Sequence, residues 1–202
     1  MKESKLRNFS ENYDGMKFNR NKKYKVIYAD PPWYYANNKK RQKYGGAAMA
    51  HYPMVKLDEL KRLPIQSICE DASILFLWAT FPRLKDALEL MESWGFIYRT
   101  IGFCWIKKFK NGKIESGRGM GFFTKENAEV CLIGTRYVHK GRNQIKVLRH
   151  DISSVIISER RRHSEKPDEV RHRIDMLFGN VSKIELFARQ EYPGWDSWGN
   201  EL

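Results

Sequence analysis

Tyr24-Lys25-Val26-Ile27-Tyr28-Ala29-Asp30-Pro31-Pro32-Trp33 is the stretch on which the reading of this chain turns. Val26 to Ala29 form a short apolar run suited to a buried strand. Pro31 and Pro32 cannot extend it, because neither carries a backbone N–H to donate to a ladder. Each X-Pro step also restrains the residue before it. The stretch therefore predicts a strand over about 24–29 that ends in a stiff turn bearing Asp30 and Trp33. In open α/β sheets, ligands bind outside that end of a strand.

Such a turn suits one chemistry. The exocyclic amino group of adenine or cytosine is a poor nucleophile, because its lone pair is conjugated into the ring. Two acceptors aimed at its N–H bonds favour a more tetrahedral nitrogen. The Asp30 carboxylate and a free Pro31 carbonyl would supply them, and Trp33 would stack on the base. A methyl sulfonium placed in line would complete a transfer driven by positioning and electrostatics. On spacing alone, the same residues read equally as a strand ending in a Pro-Pro turn with a surface acid.

The chain has 202 residues, enough for one domain with a sizeable core. No apolar run approaches the roughly 20 residues of a membrane span. The first twenty residues are polar, unlike a signal peptide, and 1–23 read as a polar N-terminal extension. Cys69, Cys104 and Cys131 sit apart in apolar segments, which is neither a disulfide framework nor a zinc pattern. No metal site is expected, and a reducing cytoplasm is the natural setting. The formal charge of +13 favours a polyanionic partner, nucleic acid first. The basic residues cluster at Arg20–Lys25, Lys39–Lys43, Lys107–Lys113, Arg136–Arg149 and Arg160–His163, between apolar segments.

Along the chain, residues 34–50 read as a long substrate-contacting loop. A short helix follows over about 56–62, then a buried strand at 74–79 and an amphipathic helix at 82–94 closed by Gly95. Phe96 to Lys107 reads as one or two strands, and 110–123 as a mobile basic loop. Ala128–Gly134 and Asp151–Ser158 read as strands, with a basic loop between them. Pro167 with Asp168 and Glu169 opens a helix reaching Gly179. A strand over Lys183–Arg189 comes next, and the Trp- and Gly-rich tail is expected to fold over the site. Strands alternating with helices indicate a mostly parallel, twisted α/β sheet.

Several motifs in one order resemble the family that contains the catalytic subunit of the eukaryotic messenger-RNA adenine methyltransferase, with relatives in bacteria and phages. They include Asp30-Pro31-Pro32-Trp33, Leu75-Phe76-Leu77-Trp78, Cys131-Leu132-Ile133-Gly134, Ser164-Glu165-Lys166-Pro167, Lys183-Ile184-Glu185-Leu186-Phe187-Ala188-Arg189 and Gly199-Asn200. The resemblance runs from about Tyr24 to Leu202. It implies a Rossmann-like methyltransferase with helices on both sheet faces, using S-adenosyl-L-methionine. It also implies a circularly permuted motif order, with the catalytic motif first and the cofactor strand late.

Carried over by position, the resemblance gives Asp30 and the Pro31 carbonyl to the target amino group, with Asp30 near the methionyl amine. Lys166 would meet the cofactor carboxylate, Phe187 and Arg189 would line adenosine and ribose, and Asn200 and Glu201 would lie near them. Tyr34, Tyr52 and Lys107 would surround the acceptor adenine. Independently of the resemblance, Arg160, Arg161 and Arg162 read either as a nucleic-acid contact, which the net charge favours, or as a solvated loop. Without the resemblance, Lys166 and Arg189 read as solvated charges at element ends, and Trp78 and Trp105 as core. Glu191 and Glu201 depart from the histidine and glutamine of the messenger-RNA enzyme. The reading is adenine-N6 methylation of DNA. RNA adenosine methylation and an inactive nucleic-acid-binding subunit are the alternatives, and a homodimer or a paired methyltransferase subunit is a possible assembly.

Overall fold

The computed structural model describes residues 18–19, 21–34, 55–114, 123–137, 145–161, 165–200 and 202. Those residues form one seven-stranded sheet flanked by three α-helices. The strands are β1 (Tyr24–Ala29), β2 (Cys69–Ala79), β3 (Ile97–Lys108), β4 (Ala128–Tyr137), β5 (Val155–Glu159), β6 (Lys183–Leu186) and β7 (Asp196–Trp198). The helices are α1 (Leu57–Lys61), α2 (Leu84–Ser93) and α3 (Glu169–Phe178). Strand order is β5-β3-β4-β2-β1-β6-β7. Only β4 runs against its neighbours, so the sheet is mostly parallel as expected.

The apolar runs become central strands because both sheet faces are covered. Ile27, Ala29, Leu75, Leu77 and Leu132 pack with Leu60 of α1 and Ala87, Leu90 and Met91 of α2. Val26, Tyr28, Phe76, Trp78 and Phe103 pack on the other face with Val170, Ile174 and Phe178 of α3. Alternate residues of β1 and β2 thus enter different cores, which is why neither strand shows an apolar-polar alternation. Gly95, at φ +81°, turns the chain out of α2 toward β3 in a conformation a Cβ would strain.

Several boundaries differ from the sequence reading. β2 begins at Cys69, because Glu70 and Asp71 occupy a partly solvated end that the apolar run at 74–79 does not reveal. The Phe96–Lys107 segment is a single strand. β5 starts at Val155, and β6 stops at Leu186. The stop has a local cause: Phe187 has φ 61°, a left-handed conformation that cannot continue a strand. Residues 196–198 of the tail pair in parallel with β6 as a seventh strand.

β1 lies between β2 and β6, with Ala29 opposite both Leu77 and Leu186. The first and a late strand are therefore adjacent, and the chain leaves β1 toward one side and returns on the other. That is a topological switch point, where the crevice of an open α/β sheet forms.

Candidate active site

Asp30 is the first residue beyond β1, and its turn is held from several sides. The Trp33 N–H donates to the Pro31 carbonyl at 2.8 Å, closing a three-residue turn. The Val55 N–H donates to the Pro32 carbonyl at 2.8 Å, and the Tyr34 N–H donates to the Val55 carbonyl at 3.2 Å. The Pro31 carbonyl is therefore not free, contrary to the sequence reading. One lone pair is taken locally and one is left. Trp33, expected to stack on a base, has its ring in the core cluster and its indole N–H donating to the Trp78 carbonyl at 3.1 Å. There it anchors the turn, and burial of so large a ring favours that position.

Facing the turn, the Lys166 ammonium lies 2.7 Å from Asp30 Oδ2 and 3.2 Å from Glu129 Oε2. It also stands 5.5 Å from the centre of the Trp78 ring. Glu129 in turn accepts from Lys107 Nζ at 2.5 Å, and that ammonium lies over Trp105. Asp30, Lys166, Glu129 and Lys107 form a line of alternating charges drawn from the turn after β1, the loop before α3, β4 and β3. The antiparallel course of β4 makes this possible. Its first residues fall at the same edge as the last residues of β1 and β3. Sequence reading passed over Glu129; its one signal is an acid set inside the apolar run from Ala128 to Gly134.

Alternation favours the charged forms of Glu129 and Lys166. Burial works to raise the Glu129 carboxyl, but the ammonium groups of Lys166 and Lys107 outweigh it and hold it below its ordinary value. Burial works to lower Lys166, and the carboxylates of Asp30 and Glu129 raise it instead. Asp30 goes the other way. Burial raises its carboxyl more than Lys166 and Arg189 lower it, and Glu129 adds to the rise. About a quarter of the Asp30 side chain, 26%, still faces solvent, so a ligand can reach it.

The second set of expected residues gathers beside Asp30 through β6. The Ala188 N–H donates to the Trp198 carbonyl at 3.0 Å, and Phe187 meets Trp198 edge-on at 5.5 Å. Gly199 passes so close that a Cβ there would lie 2.0 Å from the Ala188 carbonyl oxygen. The segments 187–189 and 198–200 are thus locked together, with half-buried Arg189 and exposed Asn200 at the rim. The Arg189 charge is felt at Asp30. Next to them, a cleft of about 830 Å³ is lined by Phe18, Tyr24, Ile184, Glu191 and Trp198, and it does not include Asp30 or Lys166.

The basic residues divide. Arg160 is exposed at the end of β5. Arg161 is tied to Asp168 and lies 3.6 Å from Glu165. Asp168 also accepts from Arg171 at 2.9 Å, and Arg171 grips Glu185 of β6 with two bonds of 2.6 and 2.7 Å. Tyr52, Arg162 and Glu201 lie outside the described residues, as do His163, most of the N-terminal extension and most of 34–50 and 115–122.

Residues 24–201 match the model of the MT-A70 family. The Type II methyltransferase M.MunI of Mycoplasma sp is 36% identical over 195 residues, covering 90% of this chain and 78% of that protein. The human N(6)-adenosine-methyltransferase catalytic subunit METTL3 is 32% identical over 182 residues, 89% of this chain but 28% of its own length. The N(6)-adenosine-methyltransferase MT-A70-like protein of Arabidopsis thaliana is 31% identical over 179 residues, 23% of its length. This chain therefore spans about a quarter of those two eukaryotic relatives and most of the Mycoplasma one. With the Asp30 turn at the switch point and a match over nearly the whole sequence, the chain belongs to the MT-A70 family of S-adenosylmethionine-dependent N6-adenine methyltransferases.

Proposed function

We propose that this protein transfers a methyl group from S-adenosyl-L-methionine to the exocyclic N6 amino group of adenine in DNA. The observation that carries the reading is the Asp30 carboxylate, a quarter exposed at the switch point and oriented by Lys166 at 2.7 Å. DNA is favoured over RNA because the likeness to a Type II methyltransferase extends over most of both chains, while the adenosine methyltransferases share only about a quarter of their length.

The residues present fit the methyl donor. Its amino acid end carries an ammonium, for which Asp30 is an acceptor. Its nucleoside end needs a ring contact and hydrogen-bonding groups, for which Phe187, Arg189 and Asn200 stand together at the rim. When bound, the donor supplies an electrophilic methyl on a sulfonium. The chain supplies the acceptor side. Asp30 takes one N–H of the amino group, and the remaining lone pair of the Pro31 carbonyl takes the other. Both acceptors are fixed before substrate arrives, so little reorganisation opposes the transfer. Lys166, only 4% exposed and set between two carboxylates, holds Asp30 in place and is a positioning residue for it.

The test uses purified protein, labelled S-adenosylmethionine and matched DNA and RNA oligomers carrying adenine. Label in DNA, absent with Asp30→Ala, is the expected result. Label in RNA alone would move the substrate, and no transfer with tight cofactor binding would favour an inactive subunit.

A further inference from the structure

Two groups of cations were expected to meet nucleic acid, and the structure commits part of each elsewhere. Lys107 is spent on Glu129, with 13% of its side chain exposed. Arg161 pairs with Asp168 and Glu165, although about half of its side chain, 52%, stays exposed. Further cations stand at and just beyond the end of β3, where Lys108 is half-buried and Lys110 and Lys113 are exposed. Beyond the end of β3 the chain makes a tight hairpin, in which Lys108 bridges Ile114. The Phe109 N–H donates to the Lys113 carbonyl at 2.8 Å, and the Gly112 N–H donates to the Phe109 carbonyl at 2.9 Å. Asn111 Oδ1 accepts from the Lys113 N–H at 3.1 Å, and Gly112 takes φ +80°. This is an Asn-Gly turn closed by its own hydrogen bonds.

The hairpin carries Lys108, Lys110 and Lys113 and no acidic residue from 108 to 114. Among the described residues, no carboxylate pairs with any of these three lysines. β3 runs parallel to β1, so the hairpin leaves the same edge of the sheet as Asp30. Its root reaches Asp30 through Lys107, Glu129 and Lys166, by contacts of 2.5, 3.2 and 2.7 Å. Lys108 lies opposite Glu159, and exposed Arg160 follows.

We infer that the 108–114 hairpin is the backbone clamp for duplex DNA, with Lys108, Lys110 and Lys113 neutralising phosphates beside the adenine offered to Asp30. The inference rests on the reading of DNA as substrate. A clamp of this kind adds affinity and register but no sequence preference. It also has a quantitative signature, because each neutralised phosphate contributes about 0.9 to the slope of log affinity against log salt.

The experiment measures binding of the full chain to a labelled DNA duplex over a series of potassium chloride concentrations. Three proteins are compared: the wild type, Lys108→Gln/Lys110→Gln/Lys113→Gln, and Lys108→Arg/Lys110→Arg/Lys113→Arg. The glutamine variant is expected to lose about 2–3 from the salt slope. The arginine variant, which keeps the charges, is expected to retain the slope. An unchanged slope in the glutamine variant overturns the clamp. An equal loss in the arginine variant also overturns it, since the cause would then be the hairpin's fold and not its charge. If the slope falls as expected and no methyl group reaches DNA, the clamp stands and the methylation reading fails. If DNA is methylated and the slope is unchanged, the reverse holds.

Discussion

Lys166 Nζ lies 2.7 Å from Asp30 Oδ2, although the residues are 136 positions apart in the chain. This contact joins the turn after β1 to the loop before α3, and only 4% of the lysine side chain is exposed. Lys166→Met would leave Asp30 and Glu129 facing each other without the cation between them. Removing one partner of a buried ion pair costs about 3–5 kcal/mol. The expected outcome is a lower urea midpoint and a loss of kcat/KM of at least about 100-fold, the scale for a lost catalytic orientation. An unchanged midpoint would mean that the ammonium is not holding the two carboxylates.

The pH dependence of activity follows from Asp30. It must be ionised to accept an N–H, and burial raises its carboxyl above the ordinary 3.8. The acid limb of kcat/KM is therefore expected above that value. Glu129 contributes to the rise through its negative charge. Glu129→Gln removes that charge and should move the limb to lower pH, whereas a limb that moves up would refute the assignment to Asp30.

Stability should respond to acid through the same pair with opposite signs. Glu129 is held below its ordinary 4.5, so its contribution is present above that pH and is lost as pH falls through the folded value. Asp30 is raised, so its contribution is present below 3.8 and is lost as pH rises through the folded value. Urea midpoints between about pH 3 and 6 should fall less steeply toward acid in Glu129→Gln than in the wild type. An equal slope in both proteins would place the acid sensitivity elsewhere.

Gly199 tests the rim formed by 187–189 and 198–200. A Cβ there meets the Ala188 carbonyl oxygen at 2.0 Å and the Ala188 nitrogen at 2.6 Å, and backbone cannot move aside as a flexible side chain can. Gly199→Ala should separate the two segments and displace Asn200 from Phe187 and Arg189. Overpacking of this kind costs about 1–3 kcal/mol. Calorimetry with S-adenosylmethionine should show binding weakened at least tenfold. Unaltered binding would mean that the tail does not help to hold the donor.

What the sequence disclosed was local. The end of β1 was legible because two prolines cannot continue a strand, and α2 and α3 because their apolar positions recur at helical spacing. What it withheld depends on long-range pairing. Glu129 looks like a stray acid until antiparallel β4 brings it to the edge where β1 and β3 end. The Pro31 carbonyl looks free until the turn folds back on itself. Phe187 reads as one more strand residue, and its φ of 61°, which ends β6, has no signal in the residue type. Arg161 reads as part of a basic run, and its pairing with Asp168, seven residues on, is a contact that the run does not reveal.

Arg171 and Glu185 show the same dependence on tertiary pairing, and they yield the sharpest test of the scaffold. Two hydrogen bonds of 2.6 and 2.7 Å join α3 to β6, each side chain is 7% exposed, and the guanidinium lies 5.5 Å from the ring centres of Tyr28 and Tyr192. Burial raises the Glu185 carboxyl, and Arg171 works against that rise. Arg171→Met alone should cost about 3–5 kcal/mol, because it leaves a buried carboxylate without its cation. Arg171→Met with Glu185→Leu should recover much of that loss, since a well-packed apolar pair of similar volume often matches a buried ion pair in stability. Urea unfolding of the two single variants and the double variant measures the coupling directly. Additive losses would show that the two side chains do not act as a pair. Recovery of stability without recovery of methyl transfer would show that this pair sets the angle between the Lys166 loop and the Phe187 turn.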